Sequence, residues 1–135
     1  MNVTRGHATL PAPQDVVDGA ATFELLATAD DPSRVSVLHV HFDAGARTRW
    51  HTHPLGQTLI VTQGSGWAQS RGHQARPIAV GDVVSIAPGE EHWHGARSDT
   101  TLAHLAIQAR DDRTETDVLE PVADHDDPTS KENPA

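Results

Sequence analysis

Two histidines two residues apart, followed by a glutamine behind a Pro-Leu-Gly turn, constrain this chain more than any other feature. They lie in residues 45–66, GARTRWHTHPLGQTLIVTQGSG, which is read together with residues 81–95, GDVVSIAPGEEHWHG. On an extended strand successive side chains alternate between faces, so His51 and His53 leave the same face. Gln57 returns to that face after Pro54-Leu55-Gly56, and His92, just past the Pro88-Gly89 turn, offers a further nitrogen from another strand. A neutral imidazole is the commonest protein ligand for first-row divalent metals, and a glutamine amide oxygen can complete the set. The pattern therefore predicts one divalent metal ion held inside a β-barrel by His51, His53, Gln57 and His92. The competing reading, core histidines without a metal, would bury several polar groups unpaired.

Composition enters where it excludes alternatives. A chain of 135 residues suits one domain and one core. Ten glycines and nine prolines spread between short apolar runs favour many strands and turns over long helices, an all-β fold. No segment approaches the ~18 apolar residues of a membrane span. No basic, apolar leader opens the chain, so a cytoplasmic location and no membrane partner are expected. The absence of cysteine removes disulfides and thiolate ligands, leaving nitrogen and oxygen for any metal. A formal charge of −9, with no basic stripe to offset it, disfavours nucleic acid. Ten histidines are many for this length, and position must separate ligands from bystanders.

Taken in order, residues 1–18 lack a period and are expected to cover a barrel edge or cross to a partner subunit. Residues 20–27 read as a strand, 30–33 as a turn and 35–42 as a second strand. If Leu38, Val40 and Phe42 face inward, His39 and His41 point outward, where they need no function. Residues 47–53 and 57–62 form the next strands, Gln57, Leu59 and Val61 facing the core. Gly64-Ser65-Gly66 reads as a tight turn that reverses the chain into residues 67–70. Residues 71–76, with His73, read as a solvated loop, and 78–80 and 83–87 as strands. Alternation then puts His92 and His94 on one side with Trp93 opposite, and His104, Ala106 and Gln108 on one face of residues 102–108. Two polar side chains around an alanine suit a pocket wall better than a closed core. The domain is expected to span residues 1–115, and the acidic, proline-containing stretch 116–135, with His125, to be a disordered tail.

Gly45, His51, His53, Gln57 and Gly64, with Gly81, Pro88, Gly89 and His92, resemble the two motifs of the cupin superfamily. Gln57 stands where those motifs carry Glu, and the Asn that often follows the last His is absent around Ala96. More narrowly, GARTRWHTHPLGQTLIVT, PGEEHWHGA and residues 102–108 resemble the small manganese-dependent hydroxynitrile lyases of that superfamily, which also use Gln at this position. The resemblance covers residues 35–110. It implies a single-domain cupin barrel (a double-stranded β-helix, or jelly-roll), a homodimer or homotetramer, and a small-molecule substrate. It also implies one divalent ion per chain, manganese in those enzymes; Zn, Fe, Ni or Co would fit the same donors.

Because His and Gln ligands are uncharged, the ion would keep its full charge and act as a strong Lewis acid, at some loss of affinity. A lyase of this type would split a cyanohydrin into aldehyde and cyanide, with His94 or His104 as general base, Gln108 orienting the substrate, and Leu38 and Val40 shaping the pocket. A metal-dependent cupin dioxygenase is the alternative, and a non-enzymatic small-molecule-binding cupin the third reading. The spare imidazoles beside the metal rank the lyase first, since a binder has little need of them.

Overall fold

The computed structural model describes residues 1–28, 35–110, 115–123 and 127–128. Among them the regular structure is antiparallel β throughout, in twelve strands. In chain order these are β1 (Thr9–Pro11), β2 (Val17–Asp18), β3 (Ala21–Ala27), β4 (Val35–Phe42), β5 (Arg47–Thr48), β6 (His51–Thr52), β7 (Gln57–Ser70), β8 (Arg76–Ala79), β9 (Val83–Ile86), β10 (His92–Ala96), β11 (Leu102–Ala109) and β12 (Asp117–Val118). The strands curl in the order β1-β3-β4-β11-β7-β10-β5-β2, with β8 and β9 on β7, and β6 between β10 and β12. Residues 1–18 cover edges within their own chain, β1 lying along β3 and β2 along β5. No helix among the described residues is long and apolar enough to cross a membrane. The expected turn at residues 30–33 falls outside the described residues.

β7 ties the two layers together, and it corrects one expectation. Gly64-Ser65-Gly66 is not a hairpin: the strand runs unbroken from Gln57 to Ser70. Its first half pairs with β9 and β11, its second half with β8 and β10. The glycines serve the crossing. Gly64 adopts φ +72°, and a Cβ there would sit 1.8 Å from the Thr101 carbonyl oxygen. A Cβ on Gly66 would meet the Gly95 carbonyl oxygen at 2.0 Å. The β7–β11 register shifts where Ala103 faces Gln63 and His104 faces Val61, leaving Thr62 as an extra residue on β7 that adds the local bend a strand needs to leave one layer for the other.

Inward residues of both layers form the core. Val17, Phe42, Val61, Ile78 and Leu102 make one cluster; Leu59, Ile86 and Ala106 make another, flanked by Leu38 and Val40. A third cluster lies apart, where Trp50 and Trp93 pack with Val122. That contact moves the domain boundary. The stretch from residue 116 was expected to be a tail, yet β12 pairs with β6, and the Leu119 N–H and Glu120 carbonyl bond the Trp50 backbone at 2.7 and 3.0 Å. Val122 is 5% exposed, a burial that stabilises by roughly 1.5–3 kcal/mol. The physical reason is that Trp50 and Trp93 need an apolar cover, which the acidic composition of the stretch conceals. Residues 124–126, with His125, and 129–135 lie outside the described residues.

Candidate metal centre

The Pro54-Leu55-Gly56 and Pro88-Gly89 turns share one anchor: the His53 carbonyl accepts the N–H groups of both Gly56 and Gly89, at 3.1 and 3.0 Å. This draws the start of β7 and the approach to β10 together, and β10 then pairs with β6 so that His92 faces His51. His51, His53 and His92 are buried, and their ligand atoms all lie within 4.8 Å of one another. Gln57 joins them, its Oε1 3.3 Å from His92 Nε2. The structure thus brings together the four side chains that spacing alone singled out.

Backbone carbonyls set the tautomers. His51 Nδ1 lies 2.8 Å from the Arg49 carbonyl oxygen, His53 Nδ1 2.7 Å from that of Glu115 and His92 Nδ1 2.9 Å from that of Glu90. A carbonyl only accepts, so each Nδ1 carries the proton and each Nε2 keeps its lone pair. Burial, reinforced by the neighbouring His92, holds His51 down at about 3, and burial holds His92 at about 4 and lowers His53. At neutral pH all of these rings are uncharged, as ligands must be.

Gln57 is oriented by a chain of hydrogen bonds that sequence reasoning missed. The Glu115 carboxylate accepts the Ser36 O–H hydrogen bond at 2.8 Å, and the Ser36 oxygen in turn accepts from Gln108 Nε2 at 2.7 Å. Gln108 Oε1 then accepts from Gln57 Nε2 at 3.0 Å, which leaves Gln57 Oε1 turned toward the imidazoles. Two lone pairs, on Gln57 Oε1 and His92 Nε2, therefore face each other at 3.3 Å with no proton between them. His53 Nε2 is likewise buried with no hydrogen-bond partner among the described residues. Acceptors gathered around a common point without a donor are stabilised by a cation, so the residues fit a divalent ion.

Beside this cluster sits a second pair. His94 and His104 are 4% and 0% exposed, with His104 Nε2 3.1 Å from His94 Nδ1, so a single proton lies between the two rings. His94 Nε2 and His104 Nδ1 have no partner among the described residues. The ring of His94 approaches that of His51 to 5.3 Å between centroids. Burial drives the His94 pKa well below its ordinary value, with the adjacent His104 adding to the shift, and burial lowers His104 to about 4. The backbone N–H of His94 is held by Thr48 Oγ1 at 3.2 Å.

A cavity of about 230 Å³ opens onto these groups, walled by Leu38, Val40, Phe42 and Val17 on its apolar side and by His51, His53, Gln57, His94, His104 and Gln108 on the other. His92 closes the ligand set from beyond that lining. A larger cavity of about 400 Å³ lies behind His92 and holds none of the other ligands. Ser36 was findable in sequence, since it shares the inward face of Leu38 and Val40. Glu115 carried no local signal, being far from its partners along the chain.

Comparison with known proteins agrees with this architecture. Residues 38–108 match the cupin domain family. The chain is 52% identical over 118 residues to an (R)-mandelonitrile lyase of Granulicella tundricola, covering 87% of this chain and 90% of that protein. A cupin-like protein of Thermotoga maritima superposes with a TM-score of 0.83 at 35% identity, over 97% and 96% of the two chains. A cupin 2 conserved barrel domain protein of Rhodopseudomonas palustris shares the fold with a TM-score of 0.71 at 20% identity, over 90% and 81%. A curled antiparallel barrel, clustered histidines on neighbouring strands and a family match across the central half of the sequence meet in one conclusion: the chain belongs to the cupin family.

Proposed function

We propose that this cupin is a hydroxynitrile lyase that reversibly cleaves a small cyanohydrin to an aldehyde and cyanide. The observation that carries the reading is the buried, neutral His94–His104 pair set against an uncharged His51/His53/His92/Gln57 donor set, in a cavity whose opposite wall is apolar. The similarity to a mandelonitrile lyase supports the same chemistry. A divalent ion held by those donors, manganese by resemblance, would supply a Lewis acid that lowers the pKa of a hydroxyl oxygen.

The chain's own residues do the rest. When His94 Nδ1–H donates to His104, His94 Nε2 is a free buried base. The hydroxyl proton passes to it, the C–CN bond breaks as the carbonyl forms, and cyanide leaves with the bonding pair and takes the proton. Burial that disfavours the imidazolium favours this return. Leu38 and Val40 hold the organic group out of water, and the bulk of Leu38 favours small substituents. The amide of Gln108 is engaged at both ends, so we assign it to holding Gln57 rather than the substrate. A cytoplasmic location and a homodimer or homotetramer belong to the same proposal, the latter supported by half-buried, outward-facing Ile60 and Ile107.

The test follows benzaldehyde absorbance on adding mandelonitrile, and a smaller aliphatic cyanohydrin in parallel, to manganese-loaded protein. Metal-dependent cleavage of either is expected; no activity on both removes the proposal. Oxygen uptake with diketones or catechols would favour the dioxygenase reading instead.

A further inference from the structure

His39 and His41, outward-facing and absorbed by no step above, do not stand alone. β3 pairs with β4 so that Glu24 lies directly opposite His39, and the carboxylate reaches both rings. Glu24 Oε1 is 3.0 Å from His41 Nε2 and 3.8 Å from His39 Nδ1, and the ring centroids are 4.4 Å apart. The other nitrogen of His39, Nε2, bonds Thr62 Oγ1 at 2.8 Å, which fixes the ring with Nδ1 toward the carboxylate. These donor atoms converge within 4.8 Å, as in the interior cluster. The two N···O separations bracket the roughly 3.3 Å edge of a tetrahedron built on 2.0–2.1 Å bonds.

We propose that Glu24, His39 and His41 form a second metal site, on the outer face of the sheet, that takes a divalent transition-metal ion of the zinc class with one position left to water. Within a single subunit the side chains are partly exposed, at 28%, 27% and 37%, so an ion can reach them there without opening the barrel. Two neutral imidazoles and one carboxylate leave the donor set with a single negative charge, and the −9 of the whole chain draws cations to it. Binding needs the Nε2 lone pair of His41, so in the metal-bound ring the proton sits on Nδ1. The sheet separates the site from the interior centre, because Leu38 and Val40, alternating with these histidines, face the cavity.

Metal-stripped protein is dialysed against buffered Zn²⁺, and bound zinc is counted for wild type, the double variant His39→Ala/His41→Ala, and Glu24→Gln. The interior centre contributes equally to all of them, so the difference between proteins is the readout. One zinc fewer per chain in the double variant is expected. Glu24→Gln, nearly isosteric and safe for the fold, should weaken the outer site by at least about tenfold, the loss typical of removing even an outer-shell partner. Equal zinc content in wild type and double variant overturns the proposal, as does an unchanged outer-site affinity in Glu24→Gln.

Discussion

Replacing Ser36 by alanine tests whether the hydrogen-bond chain orients Gln57, the proposed metal ligand. Ser36 is 3% exposed and its hydroxyl is the one acceptor for Gln108 Nε2 in the chain that starts at Glu115. With the oxygen gone, keeping Gln57 Oε1 toward the imidazoles leaves a buried Gln108 amine without a partner, a penalty of about 1–3 kcal/mol. The metal-free protein escapes it by turning both amides over: Gln108 Nε2 then donates to Gln57 Oε1, and Gln57 Nε2 to the lone pair of His92. Metal binding must reverse that turn, so affinity should fall about 5- to 150-fold while the metal-free protein loses much less stability. Ser36→Thr restores the hydroxyl and should recover most of the affinity. Calorimetric metal titration of stripped protein, paired with urea melts of the same samples, separates the two effects. Wild-type affinity in Ser36→Ala, or an affinity loss that Ser36→Thr fails to repair, would refute the orienting chain.

Acidification should destabilise the metal-free protein. Unfolded histidine takes up a proton near pH 6.5, whereas folded His92 and His104 wait until about 4 and His51 until about 3. The unfolded state therefore binds more protons in that interval, and stability falls with falling pH, by about 1.4 kcal/mol per unit for each fully shifted group. Urea melts that gave equal stability at pH 7 and 5 would contradict this. His94→Ala should lower kcat for cyanohydrin cleavage by ~10²–10⁴-fold, the span of general-base contributions, with metal content unchanged; a fall in metal content would instead make it a structural residue. Gly64→Ala, with its +72° φ and a backbone oxygen 1.8 Å from the new Cβ, should cost roughly 3 kcal/mol or more, read as loss of soluble protein or a steep drop in melting temperature.

Much of the fold was legible because strand alternation is local. Residues 35–42, 57–62 and 102–108 announced both their strands and their inward faces, and those faces are the ones that line the cavity. The misreadings have a shared origin. Gly64-Ser65-Gly66 carries the composition of a turn, but whether two glycines reverse a strand or let it bend past a neighbour depends on what lies against them, here the Thr101 and Gly95 carbonyls. The stretch after residue 116 has the composition of a tail, and only the apolar flank of Trp50 and Trp93 gives it something to cover.

The sequence by itself determined which side chains could become ligands and on which face of each strand they stand, since period-2 alternation follows from backbone geometry alone. Tertiary structure decided what those side chains are. Carbonyls of Arg49, Glu90 and Glu115 choose the tautomers, Glu115 reaches Gln57 through Ser36 and Gln108, His94 meets His104, and Glu24 meets His39. Each of those choices rests on a hydrogen bond or a cross-strand neighbour, which exists only once distant segments are laid side by side.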